Sequence, residues 1–345
     1  MDFILIDGSE GEGGGQMVRT ALALSAVTGK PFRIVNIRAN RPNPGLRNQH
    51  VQCVIATQRI CGAQSEGALK HSRELSFIPG KITAGKHVID IGTAGSTSLV
   101  LQTIALPLSL ADGPSEVTIM GGTHVEWSPV HDYLELAWLP FMRKIGLDMD
   151  LEMVSPGFYP RGGGEVRARI RPAKELTALS ATERGELKRV GVLGVVNNLP
   201  PEIAERFVRR AESQLKSRRV RKIEARVRVF SCAGAGAYVR LLAEYENVAA
   251  CFSGLGRIGK QAEKIADETV EEFFEFHRSG AAVDAHLADQ LLPPLALAKG
   301  ESVFSTPRIS AHFGTNAAVI AKFLPASITA VPAGEATLVT VRAQI

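Results

Sequence analysis

Ile4-Leu5-Ile6-Asp7-Gly8-Ser9-Glu10-Gly11-Glu12-Gly13-Gly14-Gly15-Gln16-Met17-Val18-Arg19 is the stretch that decides the reading of this chain. Its apolar start predicts a buried strand, and a turn crowded with glycine follows. A Leu/Ala-rich helical run over 20–27 comes next. Glycines in series let backbone N–H groups converge where any Cβ would obstruct, and the following helix adds the positive end of its dipole. The stretch therefore predicts a site for phosphate or another anion. The plain alternative is a mobile turn with no ligand, but such a turn has no need of Glu12, Gln16 and Arg19. No Gly-Lys-Ser/Thr follows, and the glycine spacing is not that of a dinucleotide fingerprint.

With 345 residues the chain can form one large or two modest domains, each with its own core. A hydrophobic share of 45% beside 22% charged residues is ordinary for a globular protein. Aromatic content of 6% argues against a base-stacking platform. A net charge of +5 permits an anionic partner without requiring one. Cys53, Cys61, Cys232 and Cys251 lack metal-type spacing and read as small buried residues in a reducing compartment. With neither a leader-like run before Phe3 nor an apolar run of membrane-spanning length, the expected location is the cytoplasm.

Working outward, a strand over 32–37 and a helix over 48–61 flank a Pro/Gly-bearing loop that holds Arg38, Arg41 and Arg47. Rigid irregular loops of this kind often carry binding groups, although any one arginine alone reads as surface charge. The scheme of strand, Gly turn, Leu/Ala helix, turn and strand recurs over 88–120. It is expected a third time near the end, with a strand over 306–310, a turn over 312–316 and a helix over 317–323, then strands over 327–330 and 337–342. Recurrence at roughly 80 to 100 residues suggests duplicated βα units sharing one core. Three such turns would aim three helix N-termini at a common region. The segment 184–278 has its own αβ pattern and reads as an inserted small domain, leaving 1–183 and 279–345 as one discontinuous large domain.

Asp7 through Gln16, then Arg38, Arg41, Pro44-Gly45-Leu46 and Gln49-His50, then Gly92-Thr93-Ala94-Gly95-Ser96 and Gln102 occur in this order. Gly121-Gly122-Thr123, Leu287-Ala288-Asp289-Gln290-Leu291 and His312 follow. Together they closely resemble the RNA 3′-terminal phosphate cyclase family along essentially the whole chain. The resemblance implies an α/β (α+β) fold: a large domain of repeated βαβαββ-type units, related in architecture to the enolpyruvyl transferases, with a small thioredoxin-like insert. It also implies ATP-dependent conversion of an RNA 3′-phosphate to a 2′,3′-cyclic phosphate, releasing AMP and pyrophosphate, with AMP carried transiently on a histidine.

By the same resemblance His312 is the nucleophile, a role that suits a neutral imidazole near pH 7. Glu12 falls near the triphosphate, where it would help hold Mg2+ or Mn2+. Arg19, Arg38 and Arg41 match phosphate-contacting positions, and a guanidinium grips two oxygens of a phosphomonoester at once. Gln49 and Gln102 are matching polar positions, and Gln290 belongs to the same set. Asp289 matches a contact to the adenosine portion. His286 stands where relatives often carry Tyr beside the adenine, and its smaller ring leaves base selectivity in question. Taken singly, each of these has a bland reading as a cap or surface residue; their shared order is what favours the site.

His124 and His131 make no zinc pair without a third ligand. The basic stretch over 216–228 fits either an RNA-facing surface or a solvated edge where cations discourage strand pairing. Two rival functions keep much of the pattern. One is a non-catalytic ribosome-assembly relative, which loses the chemistry; the other is an enolpyruvyl transferase, which has no use for a nucleophilic histidine.

Overall fold

The computed structural model describes residues 2–344. Four four-stranded sheets make up its β structure, and three of them share one topology. In the first, β1 (Ile4–Asp7), β2 (Phe32–Val35), β4 (Leu75–Ile78) and β3 (Gln64–Glu66) lie side by side in that order. The second repeats it with β5 (Gly85–Asp90), β6 (Ser115–Gly121), β8 (Gly164–Ile170) and β7 (Met149–Ser155). The third runs β9 (Ser180–Ala181), β14 (Glu301–Thr306), β16 (Ala336–Ala343) and β15 (Ala326–Ala333). In each, the first pair is parallel and the other two are antiparallel.

Helices complete three βαβαββ units. The first unit uses α1 (Gln16–Thr28) and α2 (Asn48–Cys61). The second uses α3 (Thr97–Ser109) and a broken crossover of α4 (His131–Tyr133), a π-helical segment (Leu134–Trp138) and α5 (Leu139–Ile145). The third uses α8 (Ala285–Leu295) and α9 (Ala311–Phe323). Each parallel pair needs such a crossover because its two strands run the same way. Local signals set the helix ends. Gly29 and Gly62 close α1 and α2 in the left-handed conformation, while Asp284 and Ser310 cap the starts of α8 and α9.

Between β9 and α8 the third unit is interrupted by a separate sheet. Its order is β11 (Ile223–Phe230), β10 (Leu187–Asn197), β12 (Gly236–Tyr245) and β13 (Ala249–Leu255), with α6 (Pro201–Ser217) and α7 (Ala262–Ser279) alongside. Both helices lie on one face: a Cβ on Gly194 would strike the Ala204 carbonyl of α6, and one on Gly254 would strike Thr269 of α7. Register places Gly194, Val239 and Gly254 abreast on that face. The opposite face carries Leu193, Val195 and Tyr238, which pack with Phe158 of the large domain in a second hydrophobic cluster.

The third repeat differs from the sequence expectation. The strand is Glu301–Thr306 instead of 306–310, and the residues expected to form a turn over 312–316 are helical from Ala311. His312 thus lies on the second helix of its unit. The counterpart of the first Gly turn is the 280–284 segment before α8. Long insertion hides this correspondence in the sequence. Cys53, Cys61 and Cys251 are buried as expected, whereas Cys232 is partly exposed in an insert turn. Among the described residues no helix is long and apolar enough to cross a membrane.

Candidate active site

Helices α1, α8 and α9 are tied together by one buried amide. Asn316 accepts from the Thr20 hydroxyl at 2.6 Å and donates to the Asp289 carbonyl at 2.9 Å. The start of α9 is therefore registered against both neighbours. Ser310, its cap, accepts from the Phe313 N–H and donates to the Asp289 carboxylate at 3.2 Å. His312 is the second residue of that helix, where backbone N–H groups lack intrahelical acceptors and the dipole is positive.

The Gly-rich loop reaches this helix end. The Glu12 N–H donates to Thr315 Oγ1 at 3.2 Å, and the Glu12 carboxylate stands between Arg41 and His312. Glu12 Oε2 lies 2.8 Å from His312 Nδ1, yet the angles make no hydrogen bond, and both atoms are buried without a bonded partner. Space bears on two of the glycines, on Gly15 more than on Gly14, whose neighbour is the movable end of a side chain. A Cβ on Gly14 would come within 2.4 Å of Glu12 Oε2, and one on Gly15 would reach 2.0 Å from His50 Nε2. The glycines do not free every N–H for an anion: those of Glu10 and Gly13 close the turn on Asp7 and Glu10 carbonyls.

Positive charge surrounds these groups. Burial lowers the His312 imidazole below its ordinary value, and Arg19, His286 and Arg41 push it the same way. Burial pushes the Asp289 carboxyl up to about 7; Asp284 adds to this, while Ser310 and Arg19 oppose it. His50 is driven down to about 3 by burial and by Arg19, Arg38 and Arg47. Its ring, buried and neutral, accepts the Arg47 N–H on Nδ1 at 3.0 Å. Arg38 has a φ of +55° and donates to the Asn43 and Gly45 carbonyls at 2.8 and 3.1 Å, so it braces the loop it belongs to. Arg19 donates to the Gln16 side chain.

Two glutamines extend the zone on either side. Gln49, at the start of α2, accepts from the Ser96 N–H at 3.5 Å and so meets the second Gly turn. Gln102 on α3 donates to Gln290 on α8 at 2.6 Å, and His286 stands exposed in the first turn of α8. The residues that the resemblance implies therefore gather around the starts of α1, α2, α8 and α9, with Asp289 buried beside Ser310 and Gln102 reaching in from the middle of α3, while the basic 216–228 stretch lies in the insert. Sequence reasoning left Ser310, Thr315, Asn316 and Asp284 unassigned and gave Arg47 and His50 no role. Asp284, Ser310 and His50 make local helix-start bonds that cap chemistry alone foreshadows, whereas the roles of Thr315 and Asn316 depend on contacts with the first unit, for which no local pattern exists.

A divalent cation would have one carboxylate of this chain to bind. Among the described residues no group of three His, Cys, Asp or Glu side chains is arranged to hold a metal ion. Buried and unbonded, Glu12 Oε2 nevertheless fits a hard cation that takes its remaining ligands from phosphate oxygens and water.

The family model of RNA 3′-terminal phosphate cyclases matches residues 10–330. A relative from Trichormus variabilis is 45% identical over 334 residues, covering 95% of this chain and 96% of its own. One from Methanopyrus kandleri is 43% identical over 336 residues, covering 95% of each chain. One from Ralstonia nicotianae is 44% identical over 341 residues, covering 98% of this chain and 96% of its own. All three carry the name RNA 3′-terminal phosphate cyclase. Among solved structures, the enolpyruvyl transferase NikO from Streptomyces tendae aligns at 14% identity and a TM-score of 0.28. That alignment covers 49% of this chain and 33% of NikO, and a likeness so low carries no argument.

Proposed function

The chain belongs to the RNA 3′-terminal phosphate cyclase family, and from that premise we propose that it uses ATP to close an RNA 3′-phosphate into a 2′,3′-cyclic phosphodiester through an adenylate carried on His312. The observation that carries this reading is the placement of His312: a neutral ring at a helix N-terminus, its Nδ1 beside the Glu12 carboxylate and its surroundings rich in guanidinium.

With its proton on Nδ1 facing Glu12, the ring presents the Nε2 lone pair as nucleophile. Nε2 attacks the α-phosphorus of ATP, the bond to the bridging oxygen breaks, and pyrophosphate leaves with that electron pair. A 3′-phosphate oxygen of the RNA then attacks the same phosphorus. The P–N bond breaks, its electrons return to the imidazole, and an adenylylated RNA end results. Finally the neighbouring 2′-hydroxyl attacks the 3′-phosphorus, loses its proton to solvent and expels AMP.

The remaining residues have binding roles in this scheme. Arg19, Arg38, Arg41 and Gln49 hold phosphate oxygens of the RNA end and spread the charge that develops on them. Asp289 accepts from the adenosine hydroxyls, while Gln102, Gln290 and His286 line the nucleotide. Glu12 holds Mg2+ or Mn2+, which when bound shields the triphosphate charge.

Incubation with α-labelled ATP and either cation tests the proposal. One labelled adduct per chain is expected, acid-labile and base-stable, absent in His312→Ala, with one pyrophosphate released per adduct. Undiminished cyclisation by His312→Ala would overturn the assignment. Failure of the wild-type chain to label with either cation would favour a non-catalytic relative.

A further inference from the structure

We propose that the exposed β11 edge of the inserted sheet, beside the part of that face covered by Phe158, is a track for the single-stranded RNA that runs 5′ of the reacting end. The inference rests on the functional reading above but concerns a surface outside that site. Among the described residues β11 pairs with β10 alone, in parallel, so the strand is an edge of its sheet. Register sets Arg226 beside Leu193 and Arg228 beside Val195, on the face that carries Tyr238 and Arg240 and looks away from α6 and α7.

Several arginines of the insert are already engaged by carboxylates, Arg240 by Asp132 among them, while Arg209, Arg219 and Arg221 are as free of ion pairs among the described residues as Arg226 and Arg228. Arg206, Arg210 and Arg218 each hold a carboxylate across α6 and α7, and Arg189 holds Glu224 and Glu244 at the far end of the sheet. Arg226 and Arg228 are exposed and make no ion pair among the described residues. The Arg228 guanidinium lies over the ring of half-buried Phe230, 5.7 Å from its centre, so a base stacking on that ring would take the place of the arginine as it turns to phosphate. Guanidinium for phosphate and a ring for base stacking are what a single strand needs, without regard to sequence.

The track leads to the candidate active site by contact. The turn after β11 meets the body loop over 158–163: a Cβ on Gly163 would be 3.0 Å from Ala233, and one on Gly234 would be 3.5 Å from Arg161. Tyr159 in that loop is 76% exposed, a second aromatic along the path. The same loop rests on the second Gly turn, since a Cβ on Gly162 would be 2.9 Å from the Thr93 carbonyl oxygen. That turn ends at Ser96, whose N–H faces Gln49. Contacts therefore run from the turn after β11, through the loop that holds Arg161, to Gln49.

The test compares wild type with Arg226→Glu/Arg228→Glu, and with Arg226→Gln/Arg228→Gln in case charge reversal perturbs the strand. Substrates are a 3′-phosphorylated trinucleotide and a single strand of about 20 nucleotides, longer than the few-nucleotide span of one binding surface. Both variants should bind the long strand at least about tenfold more weakly. Their salt slope should drop by about 1.4, from two lost phosphate contacts at about 0.7 each on single strands. Cyclisation of the trinucleotide and labelling by ATP should not change. Equal loss on both substrates, or wild-type affinity and slope on the long one, would overturn the track and leave β11 an edge guarded by charge. Labelling of the wild type is read separately, so failure of the adenylate reading is distinguishable from failure of the track.

Discussion

Gly15 lies directly against the His50 ring: a Cβ built on Gly15 would sit 2.0 Å from Nε2, and swinging the buried ring clear would break the bond that its Nδ1 accepts from the Arg47 N–H at 3.0 Å. Gly15 has an ordinary helical backbone, so space and not φ is what demands glycine there. The contact joins the Gly-rich loop to the first turn of α2 and so fixes Arg19 relative to Arg38 and Arg47.

Gly15→Ala is accordingly expected to destabilise the fold by about 1–3 kcal/mol through overpacking and to lower cyclisation. Removing the ring as well, in Gly15→Ala/His50→Ala, should recover part of the loss. Thermal unfolding of the two single variants and the double variant reads the coupling; strict additivity would mean the two residues do not press on each other.

Arg38 divides its guanidinium between structure and ligand. One Nη donates to the Asn43 and Gly45 carbonyls, leaving the other N–H groups for phosphate. Arg38→Ala is expected to weaken use of the RNA end by tenfold or more while reducing ATP labelling less. Assays of the two half-reactions check this, and equal loss in both would put Arg38 on the triphosphate.

Much of this arrangement was legible beforehand, and the parts that were not have a common cause. Helix α2 stands at 48–61 as read, since a Pro/Gly loop precedes it and Gly62 ends it. The insert is legible as an αβ segment of its own, and the basic run within it falls on β11, an edge strand, as one of the two readings of that run expects. The third unit was misread because an entire sheet separates β9 from α8, so the local resemblance fell on the wrong helix. Glu12, Arg41 and His312 were recognisable by ordered motifs. The Ser310–Asp289 bond and the Gly15–His50 contact were not, because each joins residues distant along the chain.

His312 should react as the neutral ring. Its imidazole is held below the ordinary 6.5 by burial and then by Arg19, His286 and Arg41. The rate of ATP labelling is therefore expected to stay level from pH 8 down through 6.5 and fall only below it. Arg41→Gln removes a cation and leaves Glu12 free to stabilise the imidazolium, so the acid limb should move to higher pH. Single-turnover labelling against pH measures the limb, and an unmoved limb would count against this pairing.

Asp289 carries a cost in stability that its position explains. Its carboxyl rises from 3.8 to about 7, chiefly through burial. Between those values the unfolded chain has released a proton that the folded chain keeps, so folding weakens as pH rises across the window. Asp289→Asn has no such proton to keep. It should therefore be more thermostable than wild type at pH 8, show little gain near pH 4, and bind ATP more weakly. A thermostability difference equal at both pH values would show that the buried carboxylate is not its source.

Asp132 is one of the ties that hold the insert against the rest of the chain, beside the Arg257–Glu126 pair and the Phe158 cluster. From the large domain its carboxylate accepts from His124 at 3.1 Å and from the Tyr238 hydroxyl at 3.0 Å, and faces Arg240 at 3.3 Å. Burial alone would raise its pKa, but the His124 bond, the His124 ring, Arg240 and Tyr238 outweigh burial and hold it below the carboxylate range. A depressed folded pKa contributes stability that is present above the unfolded value of 3.8 and lost as pH falls through the folded value. Asp132→Asn strands a largely buried arginine, so a loss of up to about 3 kcal/mol is expected at neutral pH. Tyr238→Phe removes one hydrogen bond, worth about 1 kcal/mol. Because Tyr238 and Arg240 belong to β12, the loss should appear first as faster amide exchange in the insert, with β1 and β2 unchanged. Uniform acceleration across both domains would mean that the carboxylate supports the core as a whole and does not act as a local clamp.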